Sequence, residues 1–295
     1  MRRSGAETII RQIMLETNLR FVERKTPAAT REAEASIGPD LQRTLICHGI
    51  ISMLVRSLPK NQIPKDQIPM TPTRGLEVGT GYGGPLLSYA RMIPQVMWYG
   101  VEHPNRQYLK TEGYWQLLKQ HACHLEPCDI TSQALPFKNE SFLFITCCEV
   151  LEHLPIEKVL FVIGELYRVL CREGWLIVSS PNQVSLACRI RMLLWKRVFD
   201  LPIPLDRAGG TFGHIHLYTA EEFAALAKML GLQVCDVRYA TLHWQHVTAP
   251  GLWTTVHYRT MWFFERLVRP ITRRLADTWF VVLYKTDQCD RVVRS

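Results

Sequence analysis

Arg74-Gly75-Leu76-Glu77-Val78-Gly79-Thr80-Gly81-Tyr82-Gly83-Gly84-Pro85-Leu86-Leu87 is the stretch that decides how this chain is read. A short apolar strand (Leu76, Val78) runs into a glycine-dense turn, and Pro85 follows where a first helical turn tolerates a missing N–H. Glycines let the backbone bend sharply and approach a ligand closely, and a helix start offers free N–H groups to a carboxylate or phosphate. Gly79, Gly81 and Gly84 also fit the G-x-G-x-x-G pattern of dinucleotide sites, so the residues that follow must choose the ligand.

The rest of the chain is compatible with an ordinary globular protein. Its 295 residues are 47% hydrophobic and 21% charged, enough to bury a core as one domain with extensions. Nine cysteines are scattered without a C-x-x-C pair, and the doublet Cys147-Cys148 closes an apolar run. That usage predicts reduced thiols in a cytoplasmic setting, and neither a disulfide framework nor a zinc ribbon. Met1-Arg2-Arg3 is followed by Ser-Gly-Ala-Glu-Thr, with no apolar signal core. No run approaches the roughly 18 apolar residues of a spanning helix, so no membrane crossing is expected. The net charge of +8 is uneven: residues 1–70 carry +4, 71–182 carry −2 and 183–275 carry +6. Basic flanks suit an anionic partner such as nucleic acid, lipid headgroups or a phosphorylated sugar, and equally suit plain solvated surface.

Outward from the glycine turn the pattern alternates. Helical apolar spacing at 6–20 and 38–57, joined by a polar piece, and a proline-rich linker at 59–73 make residues 1–73 an N-terminal helical extension. Strands are expected at 74–78, 97–102, 122–127, 142–147, 174–179, 232–238 and 278–284, with helices at 84–92, 104–120, 156–171 and 220–230. Short continuous apolar runs between helices indicate an α/β core with a parallel sheet covered on both faces, spanning 74–239, with its ligand at the carboxyl ends of the strands. An insert at about 183–213 and an aromatic, basic cap helix ahead of the final strand, within 240–295, complete the chain.

Three acids separate the candidate ligands. Glu77 lies in the first strand beneath the turn and favours a cationic ligand. Glu102 ends the second strand about twenty residues past the glycines, as an acid receiving ribose hydroxyls does. Asp129-Ile130 follows the third strand and suits an adenine amino group and an apolar wall.

Together, Glu77-Val78-Gly79-Thr80-Gly81-Tyr82-Gly83, Glu102, Cys128-Asp129-Ile130, Glu149-Val150-Leu151-Glu152-His153-Leu154, Ser180-Pro181-Asn182 and His214-Ile215-His216-Leu217-Tyr218-Thr219 resemble a class I S-adenosylmethionine-dependent methyltransferase. The Glu-x-x-Glu-His element is similar to that of ubiquinone-biosynthesis O-methyltransferases. The resemblance implies a seven-stranded Rossmann-like sheet with helices on both faces and S-adenosylmethionine as cofactor. Glu77, Gly79, Thr80, Gly81 and Gly83 would then hold the methionine end, and Glu102, with His103 beside it, the ribose. Asp129 and Ile130 would hold the adenine, and the backbone at Cys147 and Cys148 would line the methionine arm.

His153 and His214 are the catalytic candidates, against a reading of His153 as a helix-start residue bonded to backbone. His216 alternates with His214 along an extended piece, so that one of the two faces the acceptor. Glu149, Glu152 and His153 also resemble the Mg²⁺ or Mn²⁺ ligands of ubiquinone-biosynthesis O-methyltransferases and of small-RNA 2′-O-methyltransferases, which a further histidine joins. Phe212 falls in that histidine's place, and His214 would have to substitute from two residues away. A site without metal is therefore expected.

The expected reaction is O-methylation of a small-molecule, sugar-like or lipid-linked acceptor. The alternatives are an RNA 2′-hydroxyl or a non-catalytic, cofactor-binding regulatory role. The basic, aromatic segment 240–275 is the expected place of any peripheral membrane contact, with nucleic acid the second choice.

Overall fold

The computed structural model describes residues 3–21, 27–57, 73–195, 198, 203–204, 211–212, 214–242, 260, 263, 267 and 272–286. Five strands, β1 (Arg74–Val78), β2 (Met97–Glu102), β3 (His124–Pro127), β4 (Phe142–Cys148) and β5 (Leu170–Pro181), carry the apolar runs seen in the sequence. They run parallel in the order β3-β2-β1-β4-β5. β8 (Leu232–Ala240) and β9 (Thr278–Lys285) extend this sheet to seven strands, with β9 between β5 and β8 and antiparallel to both. The sheet is therefore mixed at one edge, where the sequence pattern had suggested a parallel one. A hairpin of β6 (Ile203–Pro204) and β7 (Thr211–Phe212) stands apart from it.

Helices cover both faces. On one side α2 (Pro27–Ser57), α3 (Gly84–Met92) and α4 (Glu112–Gln120) bury Ile50, Leu86, Tyr89 and Leu117 with Trp98 and Phe280. On the other, α5 (Ile156–Val169) and α7 (Ala220–Met229) bury Ile163, Leu166 and Phe223 against Leu76, Ile145, Val178 and Val281. The helix α1 (Arg3–Phe21) packs on α2 and α3 through Ile10, Met14 and Leu41. α7 starts on a reciprocal cap: Thr219 Oγ1 accepts from Glu222 N–H at 3.1 Å and Glu222 accepts from Thr219 N–H at 2.8 Å.

Several boundaries differ from the sequence reading. α2 begins at Pro27, so the polar connector is helical from there on: Ala, Arg and Glu are strong helix formers without any apolar face. The expected helix at 104–120 is split at Thr111 into a single 3-10 turn (Gln107–Lys110) and α4. β5 starts at Leu170, pairs there with Phe142, and bulges before resuming at Trp175 opposite Phe144. In the insert, α6 (Leu186–Leu193) is capped by Ser185, whose Oγ accepts from Cys188 N–H. Most of the linker at 59–73 and of the aromatic, basic segment at 240–276 lies outside the described residues. Among the described residues, no helix is long and apolar enough to cross a membrane.

The sheet meets the glycine turn at Gly100, where an added Cβ would lie 2.6 Å from Thr80 Cγ2 and 2.8 Å from Leu86 Cδ2. Gly100→Ala is expected to lower unfolding free energy by about 1–3 kcal/mol through overpacking, measured by urea denaturation.

Candidate functional site

The chain leaves β1 through Gly79, Gly81 and Gly83, with φ of 74°, 53° and 89°. Side chains other than glycine rarely adopt this left-handed backbone. At Gly79 space is restricted as well, since a Cβ would fall 2.5 Å from Val150 Cγ2. The turn is held against β2: Gly79 N–H donates to Val101 O at 2.9 Å and Gly83 N–H to Thr80 O at 2.9 Å. α3 then begins at Gly84, its first N–H groups opening above the carboxyl ends of β1 and β4.

Glu102 ends β2 and is 5% exposed. One of its oxygens accepts from Gly81 N–H at 2.6 Å, the other from His103 N–H at 2.9 Å and from Arg106 Nε at 3.3 Å. A carboxylate has about four acceptor positions, so a diol must displace one of these donors. Arg106, the most distant and 43% exposed, is the easiest to release. His103 lies beside this carboxylate, with Nδ1 accepting from Asn105 N–H at 3.3 Å. Asp129 binds its own turn: Oδ1 accepts from Thr131 N–H and Oγ1, and Oδ2 from Ser132 Oγ. Burial opposes its ionised form, but these bonds outweigh burial and hold the carboxyl below its usual range. One acceptor position remains on Oδ2, and Ile130 is half-buried beside it.

Glu77 is 2% exposed and accepts a short hydrogen bond from Thr146 Oγ1 on β4. Burial, then the neighbouring Cys148, pushes its carboxyl well above the ordinary range. Cys147 and Cys148 end β4 with side chains on opposite faces, Cys147 among Leu76 and Val78 and Cys148 among Cys47 and Ile50. Facing this group from α2 is Arg43, 15% exposed and bonded to Asp40. Burial works against its charge, but Asp40, Glu149, Cys148 and Glu77 outweigh that and raise its pKa. The sequence reading missed Arg43. Its signal was register: it sits four residues before Cys47 and seven before Ile50, on the stripe that α2 buries.

A second polar group stands at the ends of β4 and β5. Glu149 adopts a left-handed φ of 56° and accepts from Ser179 Oγ at 3.1 Å. Glu152 is fully buried, and one of its oxygens accepts from Ser180 Oγ at 3.3 Å while the other has no hydrogen-bond partner among the described residues. Burial, then Glu149, drives its carboxyl well above the usual range. Ile215 and His216 N–H both donate to the Glu152 carbonyl, which draws the following segment over it. His214 is thereby brought to His153, with ring centroids 5.0 Å apart. One ligand atom each from Glu152, His153 and His214 lie within 4.8 Å of one another. His216 instead packs edge-on against Tyr218. His214 joins Glu152 and His153 although Phe212 occupies the family position, and Glu149 turns to Ser179.

A family model described as a methyltransferase domain matches residues 42–237. The chain belongs to the class I S-adenosylmethionine-dependent methyltransferases. Solved structures share the fold. A chain in the complex of the Haloferax volcanii Trm112 methyltransferase activator with a putative methyltransferase is 13% identical, over 81% of this chain and 89% of that one, with a TM-score of 0.51. A putative sarcosine dimethylglycine methyltransferase from Galdieria sulphuraria is 14% identical, over 98% and 100%, with a TM-score of 0.50. None of the curated proteins matches the sequence.

In this methyltransferase the buried carboxyl of Glu77 lies beneath the glycine turn, the expected seat of a cofactor bearing a sulfonium and an ammonium group. A carboxyl raised by burial binds a proton that a cationic ligand must expel, so affinity should rise with pH above the ordinary carboxylate range. Titration of S-adenosylhomocysteine calorimetrically in buffers of different ionisation enthalpy should show proton release, and Glu77→Gln should abolish it.

Proposed function

We propose that this methyltransferase moves the methyl group of S-adenosylmethionine to an oxygen of a small-molecule acceptor, sugar-like or lipid-linked. The observation that carries this reading is the cluster of Glu152, His153 and His214 at the carboxyl ends of the sheet. Cofactor methyl transfer needs little covalent chemistry from protein, but a hydroxyl acceptor must be made more nucleophilic. A sulfonium methyl meets a neutral amine lone pair without such help, and so would not call for this group.

The turn Gly79–Gly83 and Glu77 hold the methionine end, with the Arg43 guanidinium answering the carboxylate of the cofactor. Glu102, after releasing Arg106, accepts the ribose hydroxyls, with His103 flanking. Asp129 takes the adenine amino group on its remaining acceptor position, and Ile130 the ring face. Cys147 and Cys148 line the arm through their backbone. His153 and His214, half-buried, address the acceptor oxygen. These residues also fit a divalent cation, because the buried oxygen of Glu152 without a partner among the described residues calls for a positive one, and a ring nitrogen of His153 and of His214 lies within 4.8 Å of a Glu152 oxygen. Glu152, His153 and His214 would hold such an ion, which when bound supplies a lowered pKa to a coordinated acceptor hydroxyl.

Calorimetry with S-adenosylhomocysteine tests the cofactor half. Wild type should bind, while Glu102→Ala and Arg43→Met should each weaken binding by tenfold or more; an unchanged affinity in both would remove the assigned site. The acceptor half is tested by methyl transfer from labelled S-adenosylmethionine to hydroxylated small molecules and to RNA, with and without chelator. Loss of transfer in chelator, restored by Mn²⁺ or Mg²⁺ in wild type but not in His214→Ala, is the expected result. Transfer to amines alone would sink the oxygen reading.

A further inference from the structure

Cys47 and Cys148 stand in contact, sulfur to sulfur at 3.7 Å, although 101 residues separate them in the chain. Cys47 belongs to α2 of the N-terminal extension, and Cys148 is the last residue of β4, the strand beside β1 and its glycine turn. The two helices of the extension rest on that turn. Arg43, one helical turn before Cys47, faces Glu77 and Glu149, and a Cβ on Gly84 would meet Met14 Cγ and Thr17 Oγ1 of α1 at 3.1 and 3.3 Å. The thiol pair is thus the point where extension and sheet touch next to the methionine end of the cofactor site.

We propose that Cys47 and Cys148 form a reversible disulfide that clasps the N-terminal extension over the cofactor site. The inference rests on the cofactor assignment above, although the bond itself does not. A disulfide places its sulfurs about 2.05 Å apart, so the two sulfurs must close from 3.7 Å for the bond to form. Cys148 is 7% exposed and Cys47 fully buried, so Cys148 is the more accessible of the two to an oxidant. With hydrogen peroxide, the Cys148 sulfur attacks one peroxide oxygen, the O–O bond breaks, and a sulfenic acid and one water result. The Cys47 sulfur then attacks the sulfenic sulfur, the S–O bond breaks, and a second water leaves. Overall two thiols lose two protons and two electrons, and peroxide is reduced to two waters. The hydrogen bond with Cys47, then burial, pushes the Cys148 thiol well above its usual range and makes it slow to react while the extension is closed. The clasp therefore forms when the extension opens for cofactor exchange and is sealed as it returns.

The purified chain is treated with hydrogen peroxide, digested without reduction, and mapped by mass spectrometry, while S-adenosylhomocysteine dissociation is followed by stopped flow. The expected result is a peptide pair joined through Cys47 and Cys148, dissociation slowed tenfold or more, and full reversal by dithiothreitol. Closing so long a loop should also raise the thermal midpoint by on the order of 10 °C. Cys47→Ser and Cys47→Ala, which keep Cys148 and the remaining thiols, should bind S-adenosylhomocysteine as wild type does and show no effect of peroxide on exchange. Three results overturn the clasp: a bond to a different cysteine, sulfinic acid at Cys148 without a cross-link, or the expected cross-link with unchanged dissociation. Reduced wild type that fails to bind S-adenosylhomocysteine overturns the cofactor assignment instead, and the peptide map then decides the disulfide alone.

Discussion

The left-handed exit of the chain from β1 is the constraint on which the rest of the molecule depends. Three glycines with positive φ within five residues turn the backbone so tightly that its N–H groups face the end of β2. Such a turn is costly for any residue with a Cβ. The close approach of Val150 at Gly79 and of Thr80 at Gly100 shows that space as well as dihedral preference demands glycine. Once the turn is made, α3 has to start above β1, and Glu102 at the end of the neighbouring strand lies within reach of Gly81 N–H. The cofactor cradle and the packing of the sheet are therefore one arrangement.

Burial of charge is the second theme. Glu77, Glu152 and Arg43 are all removed from water around the ends of β1, β4 and β5. An isolated buried carboxylate costs several kcal/mol, and in practice it keeps its proton or finds a cation. Here one guanidinium serves several acids, and the imbalance leaves room for positive charge from outside the chain. A cofactor with sulfonium and ammonium groups would supply it beside Glu77, and a divalent ion would supply it beside Glu152. Family membership is the reason to look for the first of these ligands, and the buried oxygen of Glu152 without a partner among the described residues is the reason to look for the second.

The extension and the core are coupled by this chemistry. α1 and α2 bury apolar side chains on α3, yet the same α2 face carries Arg43 and Cys47 toward the site. If this helix pair covers the cofactor, as proposed, it must move for exchange, and the contacts that close it set how often it opens.

Much of this was legible in the sequence, and the remainder had a common reason for being hidden. The run from Arg74 to Leu87 and the alternation of short apolar runs with helices were enough for an α/β sheet with a glycine turn after β1, because strand length, turn chemistry and apolar period are local properties. The antiparallel placement of β9 between β5 and β8 was not legible, since strand partners depend on contacts a hundred residues apart. Nor was the join of His214 to Glu152 and His153. Spacing along the chain put Phe212 in the ligand's position, but two N–H groups bonded to the Glu152 carbonyl decide which side chain arrives. Arg43 and Cys47 look like surface and core residues of an ordinary helix until α2 is laid across the end of β4. The sequence by itself determined where the backbone must turn and which side chains are acids; the tertiary structure alone decided which of them meet, because meeting is a matter of long-range packing and of where buried charge finds its partner.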